Sequence, residues 1–332
     1  MQDSNENYYQ AEDVRSDYNN RRKKPLFLIN ILLFLLTFFT TTLAGVGWQN
    51  IDPYQLDNFT KGLTYSILIL SVITAHEFGH YFAARFHKIE VTLPYYIPFP
   101  FLFLNPFGTM GAVIKMLSPN HSRKSLFDVG IAGPIAGWIL TIIFLVIGFA
   151  TLPPIDYLYQ IHPEYSNTGI PTGGLTFGYN VVFLVLEKLF SLNNTVFIPP
   201  MNEIYHYPFL CVGWFGLLIT SLNMMPVGQL DGGHISYTMF GEKSKYVGYV
   251  VFYTLLFFGF IGILPLLNIN ITIGSINWLV WALLILFIIK IKHPPVCRDL
   301  NEPLGRSRII LGWFSYFIFV VSFCPIPVSE GF

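Results

Sequence analysis

The stretch LTYSILILSVITAHEFGHYFAARF, residues 63–86, decides how the rest of the chain is read. It is long and apolar enough to cross the roughly 30 Å hydrocarbon core of a bilayer as a helix. Yet it holds His76, Glu77 and His80 within five residues. Ionisable side chains at membrane depth are expensive and need a partner. On a helix, positions i and i+4 share a face, so His76 and His80 can present both imidazoles to one metal ion. Glu77 sits beside that face, within reach of a water on the metal. Two imidazoles and a glutamate base are the chemistry of a zinc hydrolase. Imidazole ligands favour zinc over magnesium or calcium. The bland alternative is a histidine pair facing water or a neighbouring helix. Three ionisable groups clustered in an apolar helix weigh against it.

The surrounding chain fits a membrane. Of 332 residues, 53% are hydrophobic and only 11% charged, and the mean hydropathy is +0.53. So few charges cannot cover the surface of a soluble domain of this size. Nineteen Lys and Arg balance nineteen Asp and Glu, which leaves no basic patch for nucleic acid. Cys211, Cys297 and Cys324 are scattered, with no CxxC pair, and offer neither a disulfide framework nor a thiolate zinc site.

Apolar segments predict spans near 26–47, 63–86, 126–152, 207–227, 246–267, 276–292 and 308–325. The expected fold class is therefore all-α polytopic, with about six to seven transmembrane helices. Residues 1–25 read as a disordered, polar tail ending in Arg21-Arg22-Lys23-Lys24. Residues 26–60 hold the first helix and an outer loop, 61–240 a catalytic core, and 241–332 additional C-terminal helices. Between the second and third spans, prolines 94, 98, 100 and 106 forbid a regular helix. Flanking aromatic and β-branched residues predict short strands or a re-entrant hairpin there. Residues 153–206 form the longest polar loop, with an interfacial helix expected at 178–192. Placing the N-terminus in the cytoplasm puts 17 of the 19 Lys and Arg inside, all but Lys61 and Lys188. That asymmetry supports an N-inside orientation. No organelle signal is evident, so a bacterial inner membrane is expected.

Two histidines leave a catalytic zinc one protein ligand short. Asp231 lies just past the fourth span, between Pro226 and Gly232-Gly233. The charge count brings it to the same membrane depth as His76 and His80. A helix N-cap is its ordinary reading; beside a membrane HExxH, the ligand reading is preferred.

At this point the sequence resembles the site-2 protease family of intramembrane zinc metalloproteases, peptidase family M50. His76-Glu77-Phe78-Gly79-His80 carries one motif. NMMPVGQLDGGH at 223–234 matches the family pattern Asn-x-x-Pro-x-x-x-Leu-Asp-Gly. A softer match runs through GTMGAVIKM at 108–116 and LFDVGIAGPIAGW at 126–138. The resemblance covers about 61–240. No segment resembles a PDZ domain, so a compact member is expected. The resemblance implies one Zn²⁺ per chain, held by His76, His80 and Asp231, with Glu77 as general base and then proton donor. It implies that Asn223 holds a substrate strand or a carbonyl oxygen; an interhelical hydrogen bond is its bland alternative. The implied partners are the lipid bilayer and transmembrane protein substrates, single-span by expectation. The pro-rich stretch 91–117 could pair with an unwound substrate by β-augmentation.

Two other readings compete. CAAX-processing-type membrane proteases also carry HExxH but take a later glutamate as third ligand. Glu187 and Glu203 fall on the outer side, and Glu242 sits in a polar loop. An intact Glu77 argues against a non-catalytic scaffold, and a metal-binding transporter would show polar residues in several spans, of which the last three carry almost none. His234 reads as second-layer or a cap, and an extra ligand is its alternative. His87, His121, His162, His206 and His293 read as surface histidines. Gly130, Gly133 and Gly137 read as a helix-packing face. Substrate identity and oligomeric state are not legible.

Overall fold

The computed structural model describes residues 27–331 apart from 104, 118–121, 193–196, 268, 270–272 and 298. The expected tail at 1–25 and His121 lie outside them. The chain is mostly helical. Helix α1 (Phe27–Gly47) leads through a short 3₁₀ segment into α2 (Leu63–Phe86). Strands β1 (Tyr95–Pro98) and β2 (Thr109–Val113) follow, then α3 (Arg123–Ala150). The long loop carries α4 (Asp156–Ile161), α5 (Tyr165–Thr168), β3 (Gly174–Phe177) and α6 (Val181–Ser191). Helices α7 (Pro208–Asn223), α8 (Asp231–Phe240), α9 (Ser244–Ile261), α10 (Asn277–Leu284) and α11 (Arg306–Ser322) follow, and β4 (Val328–Gly331) closes the chain.

Four helical runs are long and apolar enough to cross a membrane: Phe27–Gly47, Leu56–Phe86, Arg123–Ala150 and Asp231–Leu267. Pro208–Asn223 and Asn277–Ile289 are apolar but shorter. The sequence expectation of six to seven spans is thus met for four by length and composition. The difference arises at α7, α10 and α11: α7 and α10 are apolar but shorter, and α11, expected as a span at 308–325, has 17 residues and stops before Pro325.

The core centres on α7. Cys211, Val212, Trp214, Phe215 and Leu217 are almost fully buried there. Trp214 donates its indole N–H to the Gly178 carbonyl at 2.7 Å, and Phe177 packs edge-on against Trp214. Around α7, helices α2 and α3 pack closely on each other. Gly79 makes that approach possible, because a Cβ there would lie 2.5 Å from the Ala132 carbonyl oxygen. Helix α1 turns exposed Phe27, Leu28, Leu32 and Leu35 outward and buries a threonine stripe at 37 and 40–42. Thr41 and Ser66 share a hydroxyl hydrogen bond of 2.7 Å between α1 and α2.

Residues 91–116 form the antiparallel hairpin whose strands the prolines predicted. Tyr95 pairs with Val113, Tyr96 with Ala112 and Pro98 with Thr109, with a register shift between Tyr96 and Pro98. Asn30 of α1 anchors it, donating to the Pro94 carbonyl at 2.8 Å and the Leu93 carbonyl at 3.2 Å. Replacing Asn30 by Leu leaves two carbonyls without this donor. We expect it to cost about 1–3 kcal/mol and to speed amide exchange across 91–98, read by hydrogen-exchange mass spectrometry.

The loop helix runs from 181 to 191, capped by the Asn180 side chain accepting from the Phe183 N–H at 2.9 Å. One element was not foreseen. Strand β3 pairs antiparallel with β4, with Gly174 opposite Gly331 and Phe177 opposite Val328. Residues 328–331 are thereby sewn onto the 153–206 loop.

Candidate metal centre

His76 and His80 sit one turn apart on the buried face of α2, each 6% exposed, as is Glu77. Their Nε2 atoms are 3.1 Å apart. Asp231 Oδ2 lies 3.2 Å from His76 Nε2 and 3.3 Å from His80 Nε2. Bonds of about 2.0–2.1 Å to a tetrahedral zinc give donor separations of about 3.3–3.4 Å. The three donors thus stand close to the edges of a zinc tetrahedron, and their nitrogen and carboxylate chemistry fits the ion.

Local sequence explains each placement. His80 Nδ1 is 2.7 Å from the Val129 carbonyl of α3. Only a protonated Nδ1 can donate there, which leaves the Nε2 lone pair for a metal. Gly133 and Gly137 lie under the rings. A Cβ at 137 would meet His76 Nδ1 at 3.4 Å, and one at 133 would fall on the His80 imidazole. The packing face expected of these glycines is therefore a floor for the histidines. Asp231 is the first residue of α8, and the N-cap is Leu230, which makes no side-chain cap bond. The N-cap reading of Asp231 is thus replaced by a carboxylate turned to the histidines. Gly232 and Gly233 let α8 start against the Met224 and Gly228 carbonyls, where a Cβ would clash. The glycines of the LDGG stretch hold the aspartate in place.

Asn223, the last residue of α7, brings Nδ2 to 3.4 Å from His76 Nε2. Glu77 faces the backbone of Ile114, just past β2. Two cavities meet at the centre. One, of about 280 Å³, is lined by Glu77, His80, Gln229, Asp231 and His234. The other, of about 640 Å³, is mostly apolar and runs between β2, α7 and α10, with Thr109, Ala112, Ile219, Val280 and Trp281 along it. His76, Glu77 and Asn223 line both.

The family model of peptidase family M50 matches residues 64–262. This chain belongs to peptidase family M50. The matched region extends past the 240 expected from the motifs, because α9 lacks a motif to mark it. Similar proteins include "Probable zinc metalloprotease EGY2, chloroplastic" of Oryza sativa subsp. indica, 29% identical over 275 residues, which span 81% of this chain and 44% of that protein. "Probable zinc metalloprotease EGY1, chloroplastic" of Arabidopsis thaliana is 24% identical over 320 residues, 90% of this chain and 53% of that protein. The chain spans about half the length of these curated relatives. They are chloroplastic by name, so the expected bacterial inner membrane and cytoplasmic N-terminus find no support in them.

The other predicted residues separate cleanly. Glu187 meets the Tyr179 hydroxyl at 3.4 Å, Glu203 stands with His162 and His206, and Glu242 lies in the Gly241–Lys243 turn. None of the three lines the metal-centre cavity. His234 lines it as a second-layer residue, with Nδ1 2.7 Å from His293 Nε2. His293 Nδ1 donates to the Pro294 carbonyl at 2.6 Å, so its Nε2 accepts from His234. His87 is not a free surface histidine either, since Nε2 sits 2.8 Å from Asp128, which Arg308 grips with two bonds of 2.8 and 2.7 Å. His206 is fully buried and His162 lies 3.0 Å from it, which corrects the surface reading of both. Loop position in the sequence hid their convergence. Burial pushes the Cys297 thiol up to about 11, so it offers no thiolate.

Proposed function

We propose that this chain is an intramembrane zinc metalloendopeptidase that hydrolyses peptide bonds within or near transmembrane segments of other membrane proteins. One observation carries the reading: the His76–His80–Asp231 donors and Glu77 stand where a small polar cavity opens into a longer apolar one. Peptide hydrolysis needs water, which lipid excludes, and the polar cavity supplies a place for it. The apolar cavity suits a hydrophobic substrate strand.

His76, His80 and Asp231 would hold the zinc. When bound, zinc acts as a Lewis acid and makes water a nucleophile near neutral pH. Glu77 takes the proton from the attacking water and returns it to the leaving amine. Asn223 donates from its amide to the carbonyl oxygen of the scissile bond. A helical substrate hides its carbonyls in i to i−4 bonds and must unwind first. The edge of β2 beside Glu77 supports capture of the unwound segment by strand addition. Single-span proteins fit best, because one isolated helix can enter the cavity without dragging neighbours. The lopsided Lys and Arg distribution favours placing the metal end on the side of the N-terminal tail.

Purified chain in detergent, incubated with a panel of single-span substrates, is expected to cut within or beside the span. A chelator should stop cutting and added zinc restore it. Cutting that survives complete removal of metal would sink the reading. Asn223→Ala should keep its zinc and lose about 10²–10³ in kcat, the scale set by removing one oxyanion donor. Unchanged kcat would return Asn223 to a packing role.

A further inference from the structure

At the other end of α7 lies a second convergence of metal-type donors. His162 follows α4, Glu203 precedes the 3₁₀ turn that leads into α7, and His206 is the last residue of that turn. His162 Nε2 is 3.0 Å from His206 Nε2, and His206 Nε2 is 3.4 Å from Glu203 Oε2. All three donor atoms lie within 4.8 Å of one another. Two of these separations are close to those of the His76–His80–Asp231 trio, and the third pair, His162 and Glu203, lies within the 4.8 Å limit. Helix α7 has 16 residues, so at 1.5 Å per residue about 24 Å of helix separates the two groups. We propose that His162, Glu203 and His206 form a second zinc site, structural in role, that clips the 153–206 loop onto the start of α7.

Three observations support it. The Glu203 side chain is only 2% exposed, and its Oε2 has no hydrogen-bond partner. Among the described residues its ion-pair partner is His206, at 3.4 Å. A carboxylate buried without a full positive charge is strongly disfavoured, and a divalent cation between these donors would offset that. The surrounding bonds also aim the ligands. His162 Nδ1 meets Glu164 Oε1 at 3.2 Å, which holds the proton on Nδ1 and turns the Nε2 lone pair inward. The Tyr165 hydroxyl donates to Glu203 Oε1 at 3.2 Å, leaving Oε2 to the cluster. Such carboxylate–histidine and hydroxyl–carboxylate supports are the usual outer layer of a metal site. Finally, the loop is already gathered here. Tyr157 donates to the His206 carbonyl at 2.9 Å, and Asn202 donates to the Pro171 carbonyl at 2.8 Å. A His₂Glu set with a water as fourth ligand would complete a tetrahedral zinc, and fewer oxygens than calcium requires are present.

The full chain, purified and desalted, is weighed for metal by mass spectrometry. Wild type should hold about two zinc ions. His162→Gln and Glu203→Gln should each hold one, Asp231→Asn the other one, and the combined variant none. Cobalt(II) added to Asp231→Asn should give the visible absorption of a low-coordinate site, and His162→Gln on that background should remove it. If a variant aggregates, zinc protection of the wild-type loop against limited proteolysis replaces it. One zinc in the wild type, lost entirely in Asp231→Asn, with no cobalt band and no zinc-dependent protection, overturns the proposal. One zinc that survives Asp231→Asn but leaves with His162→Gln would instead overturn the catalytic site and keep this one.

Discussion

Glu77→Gln is expected to lower cleavage by about 10²–10⁴-fold, the range of general-base catalysis, while zinc stays bound. Glutamine matches glutamate in shape, and Glu77 is not among the three converging donors. The amide cannot take a proton from water, so the attacking nucleophile is never generated. The substitution removes a charge from a 6% exposed position, so folding should not suffer. The decisive comparison is zinc content and cleavage measured on the same preparation. A variant that keeps zinc and full activity would take the base role away from Glu77. A variant that loses zinc would mean that Glu77 holds the site together rather than acting on substrate.

The second large effect is expected from a residue with no chemistry of its own. Gly133→Val should abolish zinc binding at His76, His80 and Asp231 although all three remain. A Cβ at 133 falls on the His80 ring, and valine adds two methyls to it. The ring cannot retreat, because its Nδ1 is tied to the Val129 carbonyl at 2.7 Å. Disturbing a supporting contact of a metal ligand typically costs 10–100-fold in affinity; displacing the ligand itself costs more. Gly130→Ala, where the added Cβ meets His234 Cβ at 3.1 Å, is the milder control. Both variants are read by zinc titration with a competing chelator. Wild-type affinity in Gly133→Val would show that α3 can move away and that the floor is soft.

Much of the centre was legible in the sequence because helical periodicity is a local rule. His76, Glu77 and His80 are five residues on one helix, and their shared face follows from 3.6 residues per turn. Asp231 needed more: a charge count to set its depth, then a family motif. The hairpin at 91–116 followed from prolines that exclude a helix. What stayed hidden depends on long-range contact. Nothing in the sequence ties His162 to His206 across 44 positions, or shows that Gly133 faces an imidazole rather than another helix. The number of spans is less legible for a related reason. Hydropathy measures composition, and α7 is apolar because it is the buried centre of the bundle, whether or not it reaches both faces of a bilayer.

The pairing of β3 with β4 carries a consequence for biogenesis. The two partners are about 150 residues apart. At synthesis rates of about 5–20 residues per second, β3 emerges on the order of 10 s before β4 exists. During that interval its edge is open to any other extended chain. The enclosure around α7 is therefore finished only by residues made long after it, and a bulky group placed next to Val328–Gly331 would compete for the seam that they have to close.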